Sequence, residues 1–444
     1  MPKTALVVNP WITDFKLYDE WMHPLGLYYL SVLLFQNGYE VLYLDCLSAI
    51  KPKSYKQDGT GKYEYRLYSK PDIYKSIKRN YKIYGMSQDC FINALLSFPK
   101  IDVIFVGSFM TYWILGLAET VLHLKKVFPN TPIVIGGTSA ILMPDVLKTK
   151  ISDVYIFSGN LYNQKDISSS KIPFFCELPA LTFNQSLIPF FKLFPLQFKY
   201  HGPVISSFGC PFKCSYCASR FIFDHYVARD NNIIIEEIKF LNKYLNVTNF
   251  AFYDDALLYK SDNKIIPLLE NIIKNNLKVN FYTPNGMHTK WLSKELLEIM
   301  YYAGFSQLRF GYESGNPIYS KDTCSKTSRK EIAIKIENSL KAGFKSSQIG
   351  VYIMAGLYNQ KPSDVEKEIK FIASLSVMAK PVFLSPVPKT PIFNVYSKMF
   401  PQLLFEPLFH NDTFFITLLP QWSETSIEEI TSLAKELNRK NYGI

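Results

Sequence analysis

Gly209-Cys210-Pro211-Phe212-Lys213-Cys214-Ser215-Tyr216-Cys217-Ala218-Ser219-Arg220 decides how this 444-residue chain is read. Its Cys-x3-Cys-x2-Cys spacing lets three sulfurs converge on one centre. A closed structural zinc site wants a fourth ligand close by. The other cysteines, Cys46, Cys90, Cys176 and Cys324, lie far away in the sequence, and His201, His225 and His288 are scattered singly. A four-iron, four-sulfur (4Fe-4S) cluster held by three cysteines, with its fourth iron open, fits better. A zinc site completed by a distant ligand, or three reduced core cysteines, are the alternatives.

Outward from this loop the chain repeats a strand and helix pattern. Strands are expected at 204–207, 249–253, 278–283, 307–311, 350–354 and 381–384, with helices near 233–244, 264–274, 293–303, 329–342 and 363–374. Six β/α units in a row predict a partial (β/α)6, TIM-like barrel with its chemistry at the carboxyl strand ends. Before the loop, strands at 5–8, 40–45, 103–106, 133–135 and 154–157 alternate with helices near 25–36, 112–127 and 140–148. That succession predicts an α/β domain with a doubly wound parallel, Rossmann-like sheet, whose ligands bind beyond the carboxyl ends of its strands. The expected division is 1–165 for this domain, 166–200 for a connector, 201–391 for the barrel and 392–444 for a C-terminal extension with no assigned chemistry.

The cysteine loop resembles the signature loop of the radical S-adenosylmethionine (SAM) superfamily, with Tyr216 as its usual aromatic residue before the third cysteine. Downstream stand Phe252-Tyr253-Asp254-Asp255, Thr283-Pro284-Asn285-Gly286-Met287-His288, Phe310-Gly311-Tyr312-Glu313-Ser314-Gly315, Gly350-Val351-Tyr352-Ile353-Met354-Ala355-Gly356-Leu357 and Ser385-Pro386-Val387-Pro388-Lys389-Thr390-Pro391. In that order they resemble the branch carrying a cobalamin-binding domain, and the first domain is then of the cobalamin (B12)-binding type. The resemblance implies that Cys210, Cys214 and Cys217 bind a 4Fe-4S cluster whose open iron chelates SAM. One-electron reduction then cleaves SAM to methionine and a 5′-deoxyadenosyl radical, with the protein binding, orienting and excluding water.

For SAM, the resemblance implies contacts from Tyr216 near the adenine, Asp254 and Asp255 near the methionine moiety, Glu313 and Ser314 near the ribose, and Gly350 and Tyr352 in a segment beside the adenine. A helix cap explains either aspartate equally well, and turn geometry explains the glycines. Asn285 and His288 follow the third barrel strand. His288, with an ordinary pKa of about 6.5, is the one candidate for acid-base catalysis, against a purely structural role.

The better-known corrinoid motif, Asp-x-His-x-x-Gly, is absent, since Asn9-Pro10-Trp11-Ile12-Thr13-Asp14 follows the first strand and the nearest histidine, His23, is wrongly spaced. Ser108, Met110, Thr111, Gly136 and Gly137 nevertheless match where that branch lines the corrin, so cobalamin is expected there. Phe208, Tyr358-Asn359 and Lys389 depart from the pattern without touching a cluster ligand. The leading expectation is cobalamin-dependent methylation of an unactivated carbon. A non-methylating radical SAM reaction, cyclisation or rearrangement, is the alternative, and a non-catalytic corrinoid- or RNA-binding protein is the alternative of another class.

Composition sets the setting. With 48% hydrophobic and 20% charged residues the chain buries a sizeable core and is not disordered. No run reaches the ~18 apolar residues of a membrane span, and no signal peptide is read at the start. Seven cysteines without a framework suit a reducing compartment, so a cytoplasmic enzyme is expected, acting on a small-molecule substrate with a flavodoxin- or ferredoxin-type electron donor. The charge of +11 concentrates in an insertion at 51–83, where 51–82 holds ten Lys or Arg against three Asp or Glu, interleaved with tyrosines. Such a stretch can bind RNA, but a solvated insertion is the preferred reading and nucleic acid is not an expected partner.

Overall fold

The computed structural model describes residues 2–48, 55–319, 321–324 and 326–442; Lys51 and Lys53 of the insertion lie outside them. Two compact units divide the chain, Met1–Tyr200 with Met399–His410, and His201–Lys398 with Asn411–Ile444. Among the described residues no helix is long and apolar enough to cross a membrane.

In the first unit, β1 (Thr4–Asn9), β2 (Ile12–Asp14), β3 (Glu40–Asp45), β4 (Tyr65–Leu67), β5 (Lys82–Tyr84), β6 (Val103–Ser108), β7 (Ile133–Gly137) and β8 (Tyr155–Ile156) form two sheets. The larger is parallel with order β3-β1-β6-β7-β8. Ala5, Leu6, Val7 and Val8 are wholly buried, as a central strand covered on both faces requires. Numbered within the sheet, the order is 2-1-3-4-5, which places the reversal of winding between β1 and β6 and a crevice at their carboxyl ends.

The described part of the insertion, residues 55–83, is folded. Strands β2, β5 and β4 make an antiparallel sheet, and Tyr63, Tyr74 and Tyr81 are buried, with the Tyr81 hydroxyl donating to the Thr13 carbonyl at 3.2 Å. Tyr55 stacks on Tyr200 with ring centroids 3.7 Å apart. These aromatics serve as a small core, while Tyr65 stays exposed. The connector also packs inward, since Phe190, Phe191 and Phe198 are fully buried and Phe190 stacks on Tyr28 at 4.1 Å. The C-terminal extension is divided: Met399–His410 belongs to the first unit, where the Leu408 carbonyl accepts from the Tyr74 hydroxyl at 2.6 Å.

In the second unit, β9 (Gly202–Val204), β10 (Ser207–Phe208), β11 (Val227–Ala228), β12 (Asn249–Phe252), β13 (Asn280–Tyr282), β14 (Leu308–Glu313), β15 (Ile349–Ala355) and β16 (Met378–Phe383) follow. Parallel ladders β9-β12-β13 and β14-β15-β16 are joined by parallel bridges at Phe281 with Phe305 and Met287 with Phe310. The result is a six-stranded partial barrel. Its helices obey local signals: Asp230 caps Asn231–Leu245, and Ser328 with Glu331 forms a capping box on Arg329–Lys341.

Helix Ile114–Val127 approaches the loop after β1 so closely that a Cβ at Gly116 would stand 2.2 Å from the Trp11 carbonyl oxygen, whereas Gly26 has nothing within 4 Å. Gly116→Ala should therefore lower stability by about 1–3 kcal/mol through backbone displacement, and Gly26→Ala should leave it unchanged or raise it. Urea unfolding of the two variants checks this; equal midpoints would contradict the close approach.

Candidate active site

The cysteine loop leaves the barrel through a pinched neck. Strands β10 and β11 pair antiparallel at its base, and Gly209 has φ +74 with its Cβ position 2.3 Å from the His225 carbonyl oxygen. Only glycine fits that backbone. Beyond the neck, Arg229 grips Glu237 through two hydrogen bonds of 3.0 and 2.7 Å and donates to the Ile205 carbonyl at 2.8 Å. This buried pair fixes β11 to the following helix. Nothing in the sequence signals it, because residues eight apart across a helix start carry no periodic pattern.

Within the loop Cys214 is buried and Cys210 and Cys217 are partly so, all three free. The Cys217 amide donates to the Cys214 carbonyl at 3.2 Å, and Cys217 Sγ lies 3.2 Å from Ser219 Oγ. Burial pushes Cys210 up to about 11 and Cys214 up to about 12, the nearby Lys326 opposing the rise at both. Among the described residues no three His, Cys, Asp or Glu side chains converge on a single ion. One tetrahedral zinc would hold its sulfurs about 3.8 Å apart, as Zn–S bonds of ~2.3 Å require. A cubane instead takes each thiolate on a different iron. Ser215 Oγ, Tyr216 Oη and Arg220 Nε are buried without a hydrogen-bond partner. Polar atoms left unsatisfied around three free thiols fit a bound group.

One sequence expectation needs correction. Cys324, remote in the chain, is brought beside Cys214 and helps to raise its pKa. The turn at 321–324 is laid on the cysteine loop by the Ser215 amide, which donates to the Asp322 carbonyl at 2.9 Å, and by Cys214 Sγ, 3.9 Å from the Thr323 carbonyl. Cys324 itself has φ +51.

The two aspartates part company. Asp254 is buried and accepts from the Ser206 amide at 3.0 Å, Ser206 Oγ at 2.6 Å, Ser207 Oγ at 2.5 Å and Lys264 Nζ at 3.3 Å. Its oxygens are occupied by the protein. Asp255 is exposed to solvent, yet the protein around it dehydrates it enough to push it up to about 6, opposed by Ser219. It also lies near enough to Cys210 to raise that thiol.

Asn285 donates to the Tyr253 and Asp254 carbonyls at 3.2 and 3.3 Å. His288 stacks on Phe212 of the cysteine loop at 4.2 Å, and its Nδ1 accepts from the Lys290 amide at 3.3 Å. Burial, Lys326 and Lys290 lower it to about 4, which favours the uncharged ring at neutral pH. Glu313, buried at φ +65 where β14 bulges, pairs with Lys326 at 2.8 Å. Tyr216 is raised by burial and by the Glu313 carboxylate near it, although the two make no hydrogen bond of ordinary geometry. Ser314 Oγ accepts from the Asn316 amide at 3.2 Å, and the Tyr352 hydroxyl donates to the Pro284 carbonyl at 2.8 Å. Gly350 stands at the amino end of β15, where a Cβ would lie 2.9 Å from the Arg309 guanidinium. It is not gathered with the carboxyl-end groups; Gly356, with φ +101, is the glycine at that end.

In the first unit Ser108, Met110, Thr111, Gly136 and Gly137 gather at the carboxyl ends of β6 and β7, with Ser108 in register with Gly137. Ser108 Oγ donates to the Gly136 carbonyl at 2.8 Å. Gly137 has φ +101 and a Cβ position 2.3 Å from the Ser108 oxygen, while Gly136 is open. Phe109 and Met110 are exposed. Thr111 is committed, its Oγ1 donating to Nδ1 of the buried His410 at 2.8 Å, whose Nε2 donates to the Leu403 carbonyl at 2.8 Å.

Residues 204–372 match the family model of the Radical SAM superfamily, and this region of the chain belongs to that superfamily, whose membership implies a 4Fe-4S cluster and SAM. A particular likeness follows from the curated relatives. An uncharacterized methyltransferase of Pyrococcus horikoshii is 25% identical over 215 residues, 46% of this chain and 44% of its own length. The anaerobic magnesium-protoporphyrin IX monomethyl ester cyclase of Rubrivivax gelatinosus is 23% identical over 190 residues, 42% of this chain and 33% of its own. The chain thus spans less than half the length of these relatives. Among solved structures, the radical SAM methyltransferase TsrM of Kitasatospora setae, with cobalamin and a [4Fe-4S] cluster bound, superposes with a TM-score of 0.60 at 12% identity, covering 90% of this chain and 78% of that one. That likeness shows the fold.

His410 is held near pKa 4, lowered by burial and partly opposed by the Leu403 carbonyl and Glu406. Its unfolded value is about 6.5, so the unfolded chain binds the extra proton and stability falls as pH drops from about 6.5 toward 4, by on the order of 3 kcal/mol at the acid limit. His410→Gln should flatten that stretch of the stability profile in a pH series of thermal melts. An unchanged profile would mean that His410 does not carry this dependence.

Proposed function

We propose that the chain is a cobalamin-dependent radical SAM enzyme that methylates an unactivated carbon of a small-molecule substrate in the cytoplasm, reduced by a flavodoxin- or ferredoxin-type donor. The observation that carries this reading is the joint presence of a three-thiol loop on a partial barrel and a 2-1-3-4-5 parallel sheet with open, partly apolar strand ends in one chain. When bound, the cluster and SAM supply an adenosyl radical, and the corrinoid supplies a methyl carrier.

Cys210, Cys214 and Cys217 hold the cluster, with Gly209 and the β10–β11 pair keeping the loop closed. Asp255 presents a carboxylate beside Cys210 toward the amino group of SAM, while Asp254 serves as the anchor beneath it. Tyr216 covers the adenine, Glu313 and Ser314 face the ribose, and Tyr352, tied to Pro284, holds the adjoining wall. In the first unit Met110 and the open Gly136 line the corrin face, with Ser108, Thr111 and Gly137 shaping the backbone below. Uncharged His288 packs against the cluster loop and orders it.

Anaerobic reconstitution with iron, sulfide and cobalamin should give a 4Fe-4S absorption band and electron paramagnetic resonance (EPR) signal that Cys214→Ala abolishes, together with bound corrinoid. Incubation with methyl-labelled SAM should place label in product. Absence of the cluster in the wild-type protein defeats the reading altogether. Production of 5′-deoxyadenosine without methyl transfer selects the non-methylating alternative, which the similarity to a cyclase keeps in view.

A further inference from the structure

Lys326 is a charged group that the sequence motifs do not include and to which the proposed function gives no role. Its ammonium is largely buried, 2.8 Å from Glu313 Oε1 and 5.7 Å from the centroid of the Tyr216 ring, in the middle of the Cys214-Ser215-Tyr216-Cys217 turn. Its charge is felt at Cys210, Cys214 and Cys217. Space for the pair is reserved in β14, where a Cβ on Gly311 would stand 3.1 Å from Lys326 Nζ and 3.2 Å from Glu313 Oε1. A buried ammonium loses several kcal/mol of hydration, and Glu313 is the fixed carboxylate that offsets this. The arrangement is an ion pair with its carboxylate on the strand and its ammonium beside the ring in the cysteine-loop turn.

We propose that Lys326, held by Glu313, is the positioning charge that raises the reduction potential of the cluster carried by Cys210, Cys214 and Cys217. This rests on the cluster reading given above. A 2+ core with three thiolates bears one net negative charge and, on accepting one electron from an external one-electron donor, bears two. No bond breaks and no proton moves; Lys326 stays protonated throughout. A fixed positive charge in a region of low polarisability favours the more negative state, and net local charge is among the factors that set iron-sulfur potentials. The low-potential donor therefore meets an acceptor made easier to reduce before SAM arrives. Glu313 partly cancels the effect, so the two residues pull in opposite directions.

The test uses the full-length protein, reconstituted anaerobically with iron and sulfide, without SAM or corrinoid, in EPR-monitored redox titrations. Lys326→Met should shift the midpoint to more negative potential, Lys326→Arg should keep it near the wild-type value, and Glu313→Gln should shift it to more positive potential. A Lys326→Met protein with wild-type iron and sulfide content and an unshifted midpoint overturns the proposal. If that variant takes up no cluster, Glu313→Gln decides: a midpoint unmoved or moved negative overturns it. Wild-type protein that forms no cluster overturns the cluster reading itself, and this proposal with it.

Discussion

The carboxylate of Asp254 is the constraint on which the second unit depends. It is removed from water and accepts from a backbone amide, two hydroxyls and an ammonium. Ser206 and Ser207 sit where the chain leaves β9 for the cysteine loop, and Asp254 sits just beyond the end of β12, so one side chain sets where the loop is launched from the barrel. A buried carboxylate with this many donors is costly to disturb, because loss of any partner leaves charge unsatisfied in a low-dielectric site. The pinched neck at Gly209 and the Arg229–Glu237 pair complete the frame. Between them these groups make the loop's position a property of the core, not of its ligands.

The same carboxylate marks the limit of reading roles from motifs. Helix spans and the order of the six β/α units were legible, because apolar runs, Ser and Asp caps, and glycine or asparagine stops act locally, whereas strand ends shifted: the strand expected at 204–207 ends at Val204 and the one expected at 381–384 begins at Met378. Asp254 and Asp255 are equivalent in sequence, yet one is sealed into the frame and the other is exposed. The side on which each points is decided by how β12 meets β9, a contact 48 residues away. Gly350 shows a similar limit, since a glycine near a motif is as readily demanded by the Arg309 side chain as by a cofactor.

Long-range proximity was the part that could not be read. The turn carrying Cys324 and the charge of Lys326 come to the cysteine loop over more than a hundred residues of sequence, where the Ser215 amide donates to the Asp322 carbonyl and Cys214 Sγ meets the Thr323 carbonyl. The tyrosines of the basic insertion are another case. Interleaved charge and aromatic residues suggested a solvent-facing segment, but Tyr63, Tyr74 and Tyr81, which lie beside and between the short strands β4 and β5, are buried, so inward-facing aromatics were hidden inside a stretch whose composition is polar.

The return of Met399–His410 to the first unit has a consequence for how the protein is divided. The chain passes from one unit to the other after Tyr200, again after Lys398 and a third time after His410. A cut at the apparent domain boundary would strip the first unit of the segment that receives the Tyr74 and Thr111 hydroxyls, and would take the Leu408 carbonyl and the His410 ring from two buried hydroxyls. The units are thus not modules joined end to end. The first unit is finished only after ribosomal synthesis has passed His410, so the sheet made first is the one that must wait for its last piece.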